Sequence, residues 1–375
     1  MRIFISAGET SGDMHAATVV IELRKRFSEV GIYGIAGPRM QAAGCVALHD
    51  ISELNVMGLG EVLAALSRIR RIEASVISWC KCEHPDMVVL VDFSGFHMRL
   101  GRKLRGLGIP VIHFIAPKLW AWGSWRLRKL RHSQDALACI LPFEPAWFAT
   151  RGIDGRYVGN PSAEVCIEGW SSMELKRRLG IKEEQTLLAL LPGSRPQELR
   201  MHVPLLAEVL CRIRQHTPTI ACVVPVAPGV STASLDLLWQ AGATPIRREE
   251  DGYALRADLA VAVSGTATLE LALWNVPTLL VYKTSPLTAF LGQRLMQLQC
   301  AGLANIILDD TPVMPELIQQ ACTIDNIMAQ VLPLLEDDKS AQVQREAFKL
   351  LRQRLGQSRV ATGVVDMVEE LLATP

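Results

Sequence analysis

The 375-residue sequence has almost no charge imbalance: 39 lysines and arginines face 38 aspartates and glutamates, a formal net charge of +1. Without a global positive field there is no general pull toward nucleic acid, and any affinity for anions must be local. Long apolar runs are missing as well. No stretch reaches the roughly eighteen uninterrupted apolar residues of a membrane span, although 49% of the residues are hydrophobic and mean hydropathy is +0.21. The opening Met1-Arg-Ile-Phe-Ile-Ser-Ala-Gly-Glu9 has too few apolar residues for a signal peptide and reads as a first strand, so a cytoplasmic location is expected. Nine cysteines, an odd number, stand singly apart from Cys80 and Cys82. The absence of paired Cys-x-x-Cys motifs argues against zinc and points to reduced, mostly buried thiols. There is no Asp-x-Asp motif either, and neither a metal nor a cofactor is expected.

Against that background one stretch stands out, Leu188-Ala-Leu-Leu-Pro-Gly-Ser-Arg-Pro-Gln-Glu-Leu199. It reads as a buried strand, a turn at Pro192-Gly193, and a helix with Pro196 in its first turn. Free N–H groups and the positive end of the helix dipole suit a phosphate there, and Arg195 adds a cation beside Gly193 and Ser194. The plain alternative is an ordinary strand-to-helix turn with a solvated arginine. The same grammar recurs at Arg2–Ala7 with Gly8 and a helix from about Met14 to Arg26. Strands are expected at 32–36, 87–91, 111–115 and 136–141, then at 186–191, 220–225, 259–263 and 278–282. Alternation with helical segments implies parallel sheets. The fold class is therefore α/β, two doubly wound, Rossmann-like domains facing a cleft, with a helical tail after about Pro315. The expected boundaries are 1–165, 166–345 and 346–375, joined near Gly159 to Gly169, the last segment packing back on the first domain. Ligands bind such sheets beyond the C-terminal ends of the strands.

Three loops at such ends carry chemistry. Gly8-Glu-Thr-Ser-Gly-Asp13 permits tight turns, and its carboxylates suit sugar hydroxyls better than a bare phosphate; Ser11 and Asp13 also read as simple helix N-caps. Val88-Val-Leu-Val-Asp92 ends a buried strand on an acid. Asp92 is the best general-base candidate, with capping of a helix near Phe96 as its structural alternative. Ser264, Gly265 and Thr266 offer donors to an anion, and Glu270, a turn further on, is within reach of a ribose diol. Paired with the Gly193 loop, they make a two-sided diphosphate cradle.

A fourth segment, residues 117–132, sets Trp120 and Trp122 beside Arg126 and its basic neighbours. Such interleaving fits single strands of nucleic acid, a lipid interface, or a core loop beside a solvated basic face. Near-neutral charge argues against nucleic acid. Two further stripes favour the lipid reading: Val62, Leu66, Ile69, Ile72 and Val76 flanked by Arg68, Arg70 and Arg71, and Leu287, Phe290, Leu291, Leu295 and Leu298 with Lys283 and Arg294.

Taken in order, the motifs resemble the lipid-A-disaccharide synthase family, inverting glycosyltransferases of the GT-B architecture. The resemblance rests on Ala7–Asp13, Gly34-Ile-Ala-Gly-Pro-Arg-Met40, Val56-Met-Gly58, Val91-Asp92, Trp120-Ala-Trp122, Leu141-Pro-Phe-Glu144, Leu191-Pro-Gly-Ser-Arg195, Ser264-Gly-Thr-Ala267 with Glu270, and Asn305. It implies transfer of 2,3-diacylglucosamine from UDP to 2,3-diacylglucosamine 1-phosphate, forming a β-1,6 disaccharide and UDP. Asp92 is then the essential acid, Arg195 and Asn305 hold the nucleotide-sugar, and Glu9 and Ser11 contribute from the first, acceptor- and lipid-binding domain. The second domain binds the UDP-sugar. The chain would sit peripherally on the cytoplasmic face of the inner membrane. Two departures are visible: Gly95 stands where a second acid is common, and Asn160 stands where the family usually has histidine. Competing readings are a UDP-N-acetylglucosamine epimerase or polyprenyl-acceptor transferase of the same architecture, and a non-catalytic nucleotide-sugar or lipid sensor. Oligomeric state stays open, a homodimer included.

Overall fold

The computed structural model describes residues 1–54, 62–166, 172–248, 254–285, 298–357 and 359–373. The chain divides into two compact units, Met1–Glu164 with Gln357–Pro375, and Val165–Gly356. In the first, seven parallel strands, β1 (Arg2–Ala7), β2 (Gly31–Ala36), β3 (Val46–Asp50), β4 (Met87–Val91), β5 (Val111–Phe114), β6 (Ala136–Cys139) and β7 (Gly155–Tyr157), lie in the order β3-β2-β1-β4-β5-β6-β7. In the second, β8 (Leu187–Leu191), β9 (Ala221–Val226), β10 (Thr244–Arg247), β11 (Leu259–Val263), β12 (Thr278–Tyr282) and β13 (Glu316–Ile318) run β10-β9-β8-β11-β12-β13, again all parallel.

The continuous apolar runs predicted as strands became the sheet centres, because a parallel strand covered by helices on both faces must be apolar at every position. Every residue of β4, β8 and β11 is buried. The four strands that sequence pattern missed, β3, β7, β10 and β13, are the four sheet edges. They are short or half-exposed, and β10 carries Pro245, which an edge strand tolerates. The last of them corrects the expectation that strands stop after Pro315. Each sheet reverses its winding once, between β1 and β4 and between β8 and β11. Those switch points bring together the loops after β1 and β4, and the loops after β8 and β11.

The tail also needs a correction. Residues 346–355 belong to one continuous helix, Asp338–Leu355, which packs on helices Thr266–Leu273 and Leu303–Ile307 of the second unit and stops at Gly356, φ 66°. The crossing back to the first unit falls after Gly356 and not at 346. Only helix Val360–Ala373 returns, burying Val360, Val364, Val365, Met367 and Val368 in the first unit's core beside helix Thr10–Arg26. Arg26 reaches Asp366 at 3.3 Å and Glu369 at 2.7 Å, pairs whose exposure makes them secondary to the valines.

Candidate active site

At the first unit's switch point the loop after β1 meets the loop after β4. Gly8 is required there because Phe93 lies on it: a Cβ added at Gly8 would fall 2.2 Å from the Phe93 ring. Asp92 and Phe93 both have left-handed backbones, φ 52° and 44°, a rare pair for residues with side chains. Helix Ser94–Arg105 starts directly afterwards with Phe93 at its N-cap and no side-chain cap, so Asp92 does not cap a helix at Phe96. Its side chain stays open to solvent. Crowding by protein nevertheless raises its pKa, opposed by the Phe93 N–H and the charge of Lys118. Solvent access decides whether a substrate reaches the carboxyl; crowding sets how basic it is.

Glu9 and Ser11 are exposed beside this loop. Ser11 and Asp13 are not N-caps, since the helix already begins at Thr10 with Glu9 as its cap residue. Asp13 is buried and accepts bonds from the N–H groups of Gly37 (2.9 Å), Arg39 (3.0 Å) and Met40 (3.1 Å), capping the following helix, Pro38–Ala42. Behind Asp92, the buried His97 contacts the Asp92 carbonyl through Nδ1 at 2.7 Å and the Ser6 hydroxyl through Nε2 at 2.8 Å.

Of the predicted lipid-contact residues, Trp120 turns inward. It is 3% exposed, donates through Nε1 to Glu144 at 3.0 Å and packs edge-on against Phe143, so it belongs to the core. Its indole N–H found a buried acceptor, as a buried tryptophan requires. Trp122 and its neighbour Trp125 are exposed, and Arg126 is partly so. Glu144 also accepts from the N–H groups of Ile140 and Leu141, and burial lifts its pKa to about 7. Asn160 spans the Ile140 carbonyl (3.0 Å) and the Ser162 N–H (3.0 Å), a local tie that occupies its amide. Along helix Val62–Glu83 the expected stripe divides: Ile72 and Val76 enter the core, while Leu66 and Arg71 are exposed and Arg68 is partly buried. Residues 56–58, Leu287, Phe290, Leu291, Arg294 and Leu295, together with the side chain of Val62, lie outside the described residues.

In the second unit, Gly193 has φ 102° and opens the turn into helix Pro196–His216. The N–H groups expected to meet a phosphate already hold an anion: Glu198 Oε2 accepts from Ser194 (3.0 Å) and Arg195 (3.2 Å), and its Oε1 meets the Arg195 guanidinium at 3.3 Å. The Arg195 side chain is 81% exposed. Across the switch point, Ser264 Oγ donates to the Ala301 carbonyl, and helix Thr266–Leu273 begins at the exposed Gly265 and Thr266 without a side-chain cap. Glu270 is paired with Arg248, while burial raises its pKa. Asn305, expected to hold the nucleotide-sugar, is fully buried: its amide bonds the Met314 backbone and Glu316, which in turn binds the N–H groups of Ala301 (2.8 Å) and Gly302 (2.9 Å). It shapes the 301–305 turn from inside. Beside the Gly193 turn lies a groove of about 750 Å³ lined by apolar Pro196, Leu199, Val203 and Leu237 and by charged Arg200 and Asp236.

Sequence reasoning passed over His97, Ser6, Lys118, Glu198, Arg248 and Glu316. Ser6 was traceable as a polar residue in the apolar run Ile3-Phe-Ile-Ser-Ala7, and Glu198 as the acid three residues into the helix that starts after Arg195; Arg248 and Glu316 meet partners more than ten residues away.

Residues 3–364 match the family model described as Lipid-A-disaccharide synthetase. The chain is 35% identical over 374 residues to the lipid-A-disaccharide synthase of Myxococcus xanthus (strain DK1622), covering 99% of this chain and 97% of that one. Among solved structures it is similar to UDP-GlcNAc 2-epimerase from Neisseria meningitidis bound to UDP-GlcNAc, with a TM-score of 0.69, 14% identity and coverage of 99% and 100%. It is also similar to Acinetobacter baumannii MurG, with a TM-score of 0.61, 16% identity and coverage of 98% and 99%. These structural likenesses establish the fold, a two-domain α/β GT-B architecture.

Proposed function

The chain belongs to the lipid-A-disaccharide synthase family, and on that premise we propose that it moves 2,3-diacylglucosamine from UDP to 2,3-diacylglucosamine 1-phosphate. It is a hexosyltransferase. The epimerase likeness is one of fold alone, at 14% identity, and gives no reason to prefer epimerisation.

Asp92 carries the mechanistic reading, an acid at the tip of a buried strand with its carboxyl open to solvent and its basicity raised by crowding. In the proposed step Asp92 takes the proton of the acceptor 6-hydroxyl. The oxygen attacks C1 of the donor from the face opposite the diphosphate, and the C1–O bond breaks with its electron pair leaving on UDP. One inversion yields the β-linkage without a covalent enzyme intermediate. Arg195, Ser194, Gly193 and the uncapped helix start at Gly265 and Thr266 are the proposed diphosphate holders, with Glu198 giving way as the phosphates arrive. Glu270 would meet the ribose through the oxygen not held by Arg248, and Asn305 would act by holding the 301–305 turn. Glu9 and Ser11 are proposed to face the acceptor sugar, and the groove beside Pro196 and Leu237 to take an acyl chain.

No helix among the described residues is long and apolar enough to cross a membrane. Exposed Leu66, Arg71 and Trp122, with the partly exposed Arg126, support peripheral contact with an anionic bilayer. Incubation with the acylated UDP-glucosamine and the acylated 1-phosphate acceptor, read by mass spectrometry, should yield disaccharide and UDP in equal amounts. Turnover of UDP-N-acetylglucosamine without an acceptor would overturn the assignment. Flotation with anionic vesicles at low salt should carry the protein upward; protein left at the bottom would refute the membrane contact.

A further inference from the structure

We propose that His97 is a positioning residue for Asp92: protonated on Nδ1, it holds the Asp92 main-chain carbonyl and thereby fixes the left-handed Asp92–Phe93 pair that aims the carboxylate. The tautomer follows from the partners. A carbonyl oxygen has no proton to give, so the 2.7 Å contact requires Nδ1 to carry the hydrogen. Nε2 is then the bare nitrogen of a neutral ring, and the Ser6 hydroxyl 2.8 Å away is its donor. Ser6 lies on β1 and pairs in register with Leu90 of β4, while His97 lies on the helix leaving β4. The ring therefore ties the two strands of the switch point to the helix that follows.

The backbone shows why such a tie is needed. Two successive left-handed residues with side chains are disfavoured and persist only where surroundings hold them. Asp92 is held on its N–H side by the Phe114 carbonyl at 2.8 Å and on its carbonyl side by His97. Burial keeps the imidazole neutral at ordinary pH, with its pKa lowered to about 4, so the arrangement is constant through the working range. His97 is fully buried and does not meet substrate; it acts through Asp92. The inference rests on the reading of Asp92 as the base.

Side-chain length supplies the test. The asparagine amide nitrogen is as many bonds from Cα as Nδ1, and the glutamine amide nitrogen as many as Nε2. His97→Asn keeps the donor to Asp92, whereas His97→Gln keeps a partner for Ser6 and loses that donor. His97→Gln and His97→Leu should lower kcat about 10²-fold, the cost of a misplacement near 1 Å, with donor KM little changed and His97→Asn restoring most of the rate. Nitrogen NMR of the wild-type protein should find Nδ1 protonated and Nε2 bare. Near-normal kcat in folded His97→Gln, failure of His97→Asn to restore it, or a bare Nδ1 overturns the inference. Asp92→Asn is assayed alongside. An inactive Asp92→Asn with a fully active His97→Gln overturns the positioning role alone, whereas an active Asp92→Asn removes the base reading and the inference together.

Discussion

Replacing Gly8 with alanine probes how closely turnover depends on the loop that carries Asp92. The new methyl would lie 2.2 Å from Cγ, 2.5 Å from Cδ1 and 2.6 Å from Cβ of Phe93. Carbon atoms pack at about 3.5–4.0 Å, so Phe93 must retreat by more than about 1 Å. Turning the ring does not relieve a clash that includes Cβ, and the backbone of Phe93 has to move, taking Asp92 with it. A misplacement near 1 Å at a reacting group costs about 10²-fold in rate, or about 2.7 kcal/mol of transition-state stabilisation. Gly8→Ala should therefore lose about that factor in kcat in the disaccharide assay while still binding UDP by calorimetry. Gly95→Ala, in the first turn of the helix that follows Phe93, is the control, because a Cβ there meets nothing within 4 Å. Alanine is the better helix former in that first turn, so melting temperature should hold or rise slightly. Gly8→Ala with wild-type turnover would show that the contact with Phe93 does not govern the geometry of Asp92.

Asp92→Asn should lower kcat about 10²–10⁴-fold with little change in melting temperature. In the wild type the rate should fall as pH drops through an Asp92 pKa above the ordinary aspartate range, and an acidic limb at the ordinary value would contradict the crowding seen around it. Arg195→Ala should raise donor KM about 10- to 100-fold, the loss of one charge-assisted hydrogen bond, and leave stability nearly untouched because the side chain is so exposed; unchanged donor use would remove it from the diphosphate site. Glu144 has its carboxyl raised from 4.5 to about 7. Its folded form thus binds a proton that the unfolded chain has released, and the stability it contributes is complete below about pH 4.5 and lost as pH rises through about 7. The stability of the wild type relative to Glu144→Gln should fall by up to about 3 kcal/mol across that window, and a pH-independent difference would contradict the assignment.

Much of this protein was fixed locally. Met87–Val91, Leu187–Leu191 and Leu259–Val263 are apolar at every position, and only the centre of a parallel sheet satisfies such a run, so the sheets and their Gly-containing exits were legible. Edge strands such as β10 and β13 were not, because one face meets solvent and their composition resembles a loop. The acid at the end of β4 was equally readable, since Asp92 closes an apolar run. Its surroundings were not: Ser6 of β1, Gly8 in the loop after it and His97 on the helix after β4 converge there, and no local pattern encodes a ring nitrogen 2.7 Å from a carbonyl. Tertiary packing also reversed particular readings. Trp120 found Glu144 and turned inward, and Asn305 is bonded to Met314 and Glu316 inside the second unit. Polar groups bond whichever complementary partner the fold brings near. Sequence spacing sets which residues leave each strand, and three-dimensional packing alone decides which of them remain free for a substrate.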